Sequence, residues 1–168
     1  PVTLGSSKQL LPVYDKPMIY YPISTLMLAG IRDILIIVNP QHLAAFEALL
    51  GDGALWGITI RFETQDRPVG LPDAFRISES FIDGESCALI LGDNLFYGAK
   101  VGESLTENKS ITGAVIYCQE VRDPERYGVV TLDPMGRPLH LVEKPQNPTS
   151  NLAITGLYFF DSSVSARA

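Results

Sequence analysis

Hydrophobic and polar positions along the chain follow two alternating periods. Residues 31–38 (IRDILIIV) are rich in β-branched side chains and close at Asn39-Pro40, which predicts a strand. Residues 41–50 place Leu43, Phe46, Leu49 and Leu50 at helical spacing, with Gly51 as the stop. Within residues 58–64, Ile58, Ile60 and Phe62 alternate with polar neighbours, the pattern of a half-buried strand. The helical period returns over residues 71–82 and sets Leu71, Phe75, Ile77, Ser78 and Phe81 near one face. Residues 87–91 are apolar at every position, which predicts a central strand covered on both sides. Upstream, residues 17–29 read as a helix with Pro17 near its first turn and Gly30 past its end.

Strand and helix in alternation predict a parallel sheet with covering helices. After Asn108 the pattern changes to strand-like runs at 113–121, 128–132, 139–143 and 154–160, separated by Asp-Pro, Pro-Met-Gly and Pro-rich turns. No repeat, low-complexity tract or linker divides the chain, so residues 1–168 read as a single domain. Composition agrees with a packed core: 46% of residues are hydrophobic and 19% charged, which argues against disorder. A net charge of −6 argues against a nucleic-acid partner, which calls for a basic face. Charges, prolines or glycines interrupt every apolar run before membrane-spanning length, and residues 1–10 lack the apolar stretch of a signal peptide. Cys87 and Cys118 form neither a zinc-spaced pair nor a disulfide framework and fit a reducing compartment. The expectation is a cytoplasmic protein with no membrane partner.

This topology says where chemistry belongs, because ligands of open α/β sheets sit outside the carboxyl ends of the strands. Those ends carry Asn39-Pro40, Gln65-Asp66 and Gly92-Asp93-Asn94. Asp93 follows a glycine that permits close approach. Its carboxylate there can hold Mg²⁺, but the same three residues also make an ordinary turn, and both readings are open. Lys8, beside Ser6 and Ser7, can meet a phosphate as a point charge or simply be solvated. Glu143-Lys144-Pro145 closes a strand, with Pro145 biasing Lys144 toward extended geometry. It reads either as a hydroxyl-binding carboxylate beside an anion-binding lysine, or as two exposed edge charges. Neighbours in a regular strand point to opposite faces, so both serve one site only where the strand twists or breaks. Gly51, Gly53 and Gly57 follow a helix and make no dinucleotide fingerprint, and no nucleophilic serine elbow occurs. His42 and His140 have no ligand at metal spacing.

The order of these signals is more specific than any one of them. SKQLLPVYDKPMIYYPISTLMLAGIRDILI (7–36), LGDNLFYG (91–98), DPERYGVV (123–130), LVEKPQNPTSN (141–151) and TGLYFFD (155–161) resemble the glucose-1-phosphate thymidylyltransferases, a branch of the sugar-nucleotide pyrophosphorylases. The resemblance covers nearly the whole chain. It implies an α/β, Rossmann-like nucleotidyltransferase fold with a mixed, mainly parallel central sheet and flanking helices. It also implies the Mg²⁺-dependent conversion of dTTP and glucose 1-phosphate to dTDP-glucose and pyrophosphate, feeding deoxysugar and L-rhamnose synthesis, in a homotetramer. By the same resemblance, Lys8 and Gln9 meet the nucleotide phosphates, and Gln65 and Gly70 read the thymine. Asp93 binds Mg²⁺, with Asn94 near the sugar phosphate. Gly128, Glu143 and Ile154 touch the glucose, Lys144 holds its phosphate, and Tyr158 stands near the same pocket. Catalysis falls to Lys8, Asp93 and Lys144.

Three departures qualify the resemblance. The family's glycine-rich phosphate loop (GxGTRL) belongs ahead of Pro1, and its second Mg²⁺-binding aspartate belongs beyond Ala168. The chain is therefore expected to be part of a longer enzyme and, alone, poorly active or inactive. The family's QPxPxGLAQA is replaced by QDRPVGLPDA at residues 65–74, so that Asp66 and Asp73 add charge beside the base pocket and Pro72 stands for an alanine. Two alternatives stay open: a pyrophosphorylase using UTP or another sugar phosphate, and a non-catalytic sugar-nucleotide binding module.

Overall fold

A computed structural model describes residues 5–67, 69–98, 101–106 and 111–167. The described chain begins with a small antiparallel hairpin, β1 (Pro12–Val13) and β2 (Lys16–Pro17), followed by α1 (Tyr20–Leu28). The helix expected from residue 17 thus starts at Tyr20. Lys16 and Pro17 are taken up by β2 instead, and the Met18 N–H donates to the Leu11 carbonyl and the Ile19 N–H to the Gln9 carbonyl, each at 2.9 Å, which ties the segment ahead of α1 back to residues 9–11. Ile23 and Leu26 of α1 pack on β3 (Asp33–Val38), where α2 (Leu43–Leu50) adds Phe46 and Leu50 and β4 (Thr59–Thr64) adds Ile60. Each such side chain gains roughly 1.5–3 kcal/mol on burial, so this cluster anchors the first half of the chain. β3 and β4 pair in parallel, Asp33 opposite Thr59 through Val38 opposite Thr64. That register brings their carboxyl ends level, and the Gln65 N–H bonds the Val38 carbonyl at 2.9 Å.

The helical run at 71–82 is split into α3 (Leu71–Ile77) and α4 (Glu79–Ile82). The break falls at Ser78, whose hydroxyl donates to the Ala74 carbonyl at 2.8 Å, beside its own N–H at 3.0 Å, and to the Phe75 carbonyl at 3.3 Å; such back-bonding bends helices. Then come β5 (Cys87–Ile90), α5 (Val101–Thr106), β6 (Ala114–Glu120), β7 (Gly128–Leu132), β8 (Pro138–Glu143) and β9 (Leu152–Phe160). Their sheet runs β5-β9-β7-β8, with β6 also on β9, and every pairing is antiparallel. β9 is its spine, and Leu157 at its middle is fully buried.

The architecture is α/β and mixed, with flanking helices, as expected. The parallel share is smaller than expected, because among the described pairings only β3 with β4 is parallel. The reason lies in the connections: short turns such as residues 133–137 can join only antiparallel neighbours, whereas parallel strands need a long crossover. The central position expected for residues 87–91 is also corrected. β5 is the outer strand of its sheet and half-buried at each position. A cavity of about 950 Å³ separates it from β3, lined by Ile34, Leu35 and Ile37 and by every residue of β5. Side chains alternate across a strand, so a cavity touching consecutive residues runs along the backbone edge. Among the described residues no backbone hydrogen bond joins β3 to β5.

Past β9, Asp161 accepts bonds from the Ser163 hydroxyl at 2.5 Å, the Gly113 N–H at 2.5 Å and the Ser163 N–H at 2.9 Å. These bonds, that of the Ser163 side chain foremost, hold its carboxyl at about 2 against an ordinary 3.8. The unfolded chain therefore takes up the proton first as pH falls. Stability from this cluster is present above about pH 4 and is lost as pH drops toward about 2. Urea unfolding midpoints should fall over that window, and Asp161→Asn should lower the midpoint near neutrality while flattening the fall.

Candidate active site

Residues Lys8–Leu10 form one 3₁₀ turn, pinned from behind by the Met18 and Ile19 amides. The turn carries Lys8 to the end of β5, where its Nζ lies 3.0 Å from Asp93 Oδ2. The two side chains remain 54% and 37% exposed. An ion pair so open to water contributes at most about 1 kcal/mol to stability, so it is poorly explained as a structural staple. Gln9 lies alongside. The Ser7 hydroxyl donates to its Oε1 at 2.5 Å, and a Cβ on Gly92 would come 3.1 Å from its Cγ. Gly92 therefore lets Gln9 lie across the strand end. Gln9, Gln65 and Gly92 line one cavity of about 400 Å³.

Gln65 continues β4, and its side-chain nitrogen donates to Asp73 Oδ2 at 2.7 Å. Asp73 sits in the first turn of α3, behind Pro72, which the helix tolerates there. Its other oxygen accepts two bonds from Arg76, at 3.0 and 2.6 Å. The Gln65 bond first, and then Arg76, hold the Asp73 carboxyl below its ordinary range. Gly70 precedes α3 at φ 104° and lines the larger cavity together with Gln65. Asp66 contributes only its carbonyl, which accepts from Asn39 Nδ2 at 3.4 Å. Pro68 lies outside the described residues.

A second group forms where β7, β8 and β9 meet. Gly128 stands opposite Glu143 in register, and a Cβ there would lie 2.9 Å from Glu143 Oε2 and 3.5 Å from Ile154 Cδ1. The glycine makes room for the carboxylate. Lys144 departs from the extended geometry expected before Pro145: its φ is 44°, in the left-handed region. The bond from its N–H to the Tyr127 carbonyl, 2.9 Å, holds it there. Strand alternation ends at Glu143 as a result, and Lys144 Nζ folds back to 3.4 Å from Glu143 Oε1. A broken strand end thus lets both charges face one site. Burial, with the Glu143 carboxylate nearby, pushes the Tyr158 phenol above its ordinary value.

The two groups meet through Asn94, whose side-chain nitrogen donates to the Thr155 carbonyl, while the Leu91 N–H donates to the Gly156 carbonyl at 2.9 Å. Gly156 has φ 67°, and a Cβ on it would lie 2.7 Å from Leu91 Cδ1. Only glycine lets the end of β5 settle on β9. Sequence reasoning gave Gly156 no role, although a glycine inside the apolar run TGLYFF is a recognised signal of close backbone approach. The Tyr127 and Thr155 carbonyls carry no signal in residue type. Among the described residues no group of three or more His, Cys, Asp or Glu gathers to hold a metal, and no helix is long and apolar enough to cross a membrane.

Strand ends of an α/β fold thus collect lysines, carboxylates and side-chain amides around glycine-made clearances, residue types that can meet a phosphorylated ligand. The family model described as nucleotidyl transferase matches residues 1–168, and the chain belongs to that family. It is 52% identical over 166 residues to a glucose-1-phosphate thymidylyltransferase of Xanthomonas campestris pv. campestris, across 98% of this chain and 56% of that protein. It is 54% identical over 164 residues to the protein so named in Mycobacterium tuberculosis, across 98% of this chain and 57% of that one. A crystal structure from Bacillus anthracis in complex with a sucrose, provisionally named a glucose-1-phosphate thymidylyltransferase, superposes with a TM-score of 0.89 at 35% identity. That match covers 99% of this chain and 67% of the other. The chain spans little more than half the length of the two relatives named first.

The left-handed turn at Lys144 makes a direct prediction. A side chain in that region costs about 1–2 kcal/mol that glycine escapes. Lys144→Gly should therefore exceed Lys144→Ala in stability by about 1 kcal/mol, read from urea midpoints at a constant slope.

Proposed function

We propose that the chain carries the nucleotide and sugar-phosphate sites of a glucose-1-phosphate thymidylyltransferase, which makes dTDP-glucose and pyrophosphate from dTTP and glucose 1-phosphate for deoxysugar synthesis. The observation that supports it most is the pair of Lys8 and Asp93, 85 positions apart in sequence and 3.0 Å apart at the head of β5. In this reading Gln65 and Gly70 face the thymine, and Lys8 and Gln9 the triphosphate. Asn94 and Lys144 hold the sugar phosphate, and Gly128, Glu143, Ile154 and Tyr158 surround the glucose.

The chemistry suits these residue types. A phosphate oxygen of glucose 1-phosphate attacks the α-phosphorus of dTTP in line with departing pyrophosphate, so a P–O bond forms as another breaks. The nucleophile is already anionic and needs no general base. The obstacle is repulsion between two polyanions, about 4 kcal/mol per pair of unit charges 4 Å apart at an effective dielectric near 20. Lys8 offsets it on the nucleotide side and Lys144 on the sugar side, and both strengthen as negative charge redistributes. Holding both reactants against one strand end supplies orientation.

Nucleotidyltransferases generally use a divalent metal. Asp93 alone offers one carboxylate, and that suits Mg²⁺, which takes one or two carboxylates and completes its shell with phosphate oxygens and water. When bound, Mg²⁺ supplies further neutralisation of phosphate charge.

The domain reading is proposed with it: residues 1–168 form part of one nucleotidyltransferase domain whose remaining length lies outside them. The facing open edges of β3 and β5 are where a further strand pairs. A homotetramer in the cytoplasm completes the proposal.

Calorimetry of the chain with dTTP, UTP and glucose 1-phosphate in Mg²⁺, and pyrophosphate release by the longer polypeptide, test the assignment. dTTP should bind more tightly than UTP, by at most about 3 kcal/mol for one methyl group. Asp93→Asn should reduce turnover about 100-fold with folding intact, and Lys144→Ala should weaken glucose 1-phosphate about 10- to 100-fold. Preference for UTP would reassign the nucleotide. Binding of dTDP-glucose without any pyrophosphate release would favour the non-catalytic module.

A further inference from the structure

Gln65 directly follows β4 and carries a side chain whose two termini, amide nitrogen and oxygen, have nearly the same shape. Partners alone decide which way such a group faces. Here the decision is enforced by charge. The amide nitrogen donates to Asp73 Oδ2 at 2.7 Å, and a carboxylate can only accept. Turning the amide over would set its oxygen against Oδ2, two acceptors in contact. Arg76, one turn further along α3, donates twice to Asp73 Oδ1 and secures the ionised form. The Asp73 side chain is only 12% exposed while Arg76 is 78% exposed, so the carboxylate is seated between its two partners rather than drifting in water.

The orientation matters because a carboxamide presents an oxygen acceptor and an N–H donor side by side. The amide nitrogen carries two hydrogens, so one remains after Asp73 has taken the other. Faced one way, that edge matches the adjacent N–H and carbonyl of a cyclic imide such as thymine or uracil. Turned over, it matches the ring nitrogen and amino group of cytosine. An unrestrained glutamine reads both. We propose that Asp73 is a positioning residue that locks the Gln65 amide in one orientation and so confines the base site to one of these two classes. That class is the imide under the thymidylyl reading, on which this inference rests. The lock does not separate thymine from uracil, whose hydrogen-bonding edges are the same.

The test is titration of the full chain with dTTP, UTP and dCTP in Mg²⁺, for the wild type and for Asp73→Ala, Asp73→Asn and Asp73→Glu, with melting curves to follow the fold. The wild type should prefer dTTP to dCTP. In Asp73→Ala and Asp73→Asn that preference should shrink about tenfold or more, with UTP tracking dTTP throughout. Asp73→Glu, which keeps the carboxylate, should restore most of it. A merely structural role for Asp73 would weaken all three nucleotides together and leave the ratio unmoved. If wild-type preference for dTTP persists unchanged in the Ala and Asn variants, the lock is overturned while the thymidylyl reading stands. If the wild type binds dTTP and dCTP alike, or neither, the thymidylyl reading fails and the inference goes with it.

Discussion

The end of β5 and the middle of β9 approach so closely that one of them must lack a side chain. Gly156 is that position. A Cβ there would overlap Leu91 and Asn94, and its φ of 67° is one that other residues resist. The approach lets Asn94 reach the Thr155 carbonyl, and it sets the Gly-Asp-Asn turn between the two groups of candidate residues. From this junction Lys8, Gln9 and Gln65 lie on the side of the turn at Gly92 and Asp93, while Ile154 and Tyr158 flank Thr155 and Gly156 on β9 itself.

Charge is handled locally rather than globally. The chain carries a net charge of −6, yet a lysine stands in each candidate group, Lys8 against Asp93 and Lys144 against Glu143. In both, the carboxylate holds the ammonium where an anionic ligand could take it over at little cost, because exposed ion pairs are weak. Asp73 differs from these two carboxylates. It is held from both sides, by Gln65 and by Arg76, and is suited to fixing a neighbour rather than to meeting a ligand.

Much of this was legible in the sequence. Period and β-branching locate β3, β4 and the strands after Asn108, and the strand-end rule points to Asn39, Gln65 and Asp93. Three features were not legible, each for a physical reason. Residue type does not reveal which edge of a strand is paired, so β5 was expected to be central. Strand pairing of Lys16 and Pro17 shortened α1 at its start, and a backbone bond at Lys144 outweighed the extended geometry favoured before proline. The clearance at Gly156 depends on a strand more than sixty residues earlier in the chain. The sequence did show that Asp73 was unusual, but its hydrogen bond to Gln65 emerged only from the fold.

On the proposed function, both groups of residues hold two ends of one sugar nucleotide, joined at the contact of Asn94 with β9. A crystal structure of the complex with dTDP-glucose and Mg²⁺ tests it most directly. The account predicts the base against Gln65, the pyrophosphate spanned by Lys8 and Lys144, and the glucosyl ring beside Gly128 and Glu143. A ligand whose phosphates lie away from both lysines, or whose sugar lies away from Glu143, would contradict it.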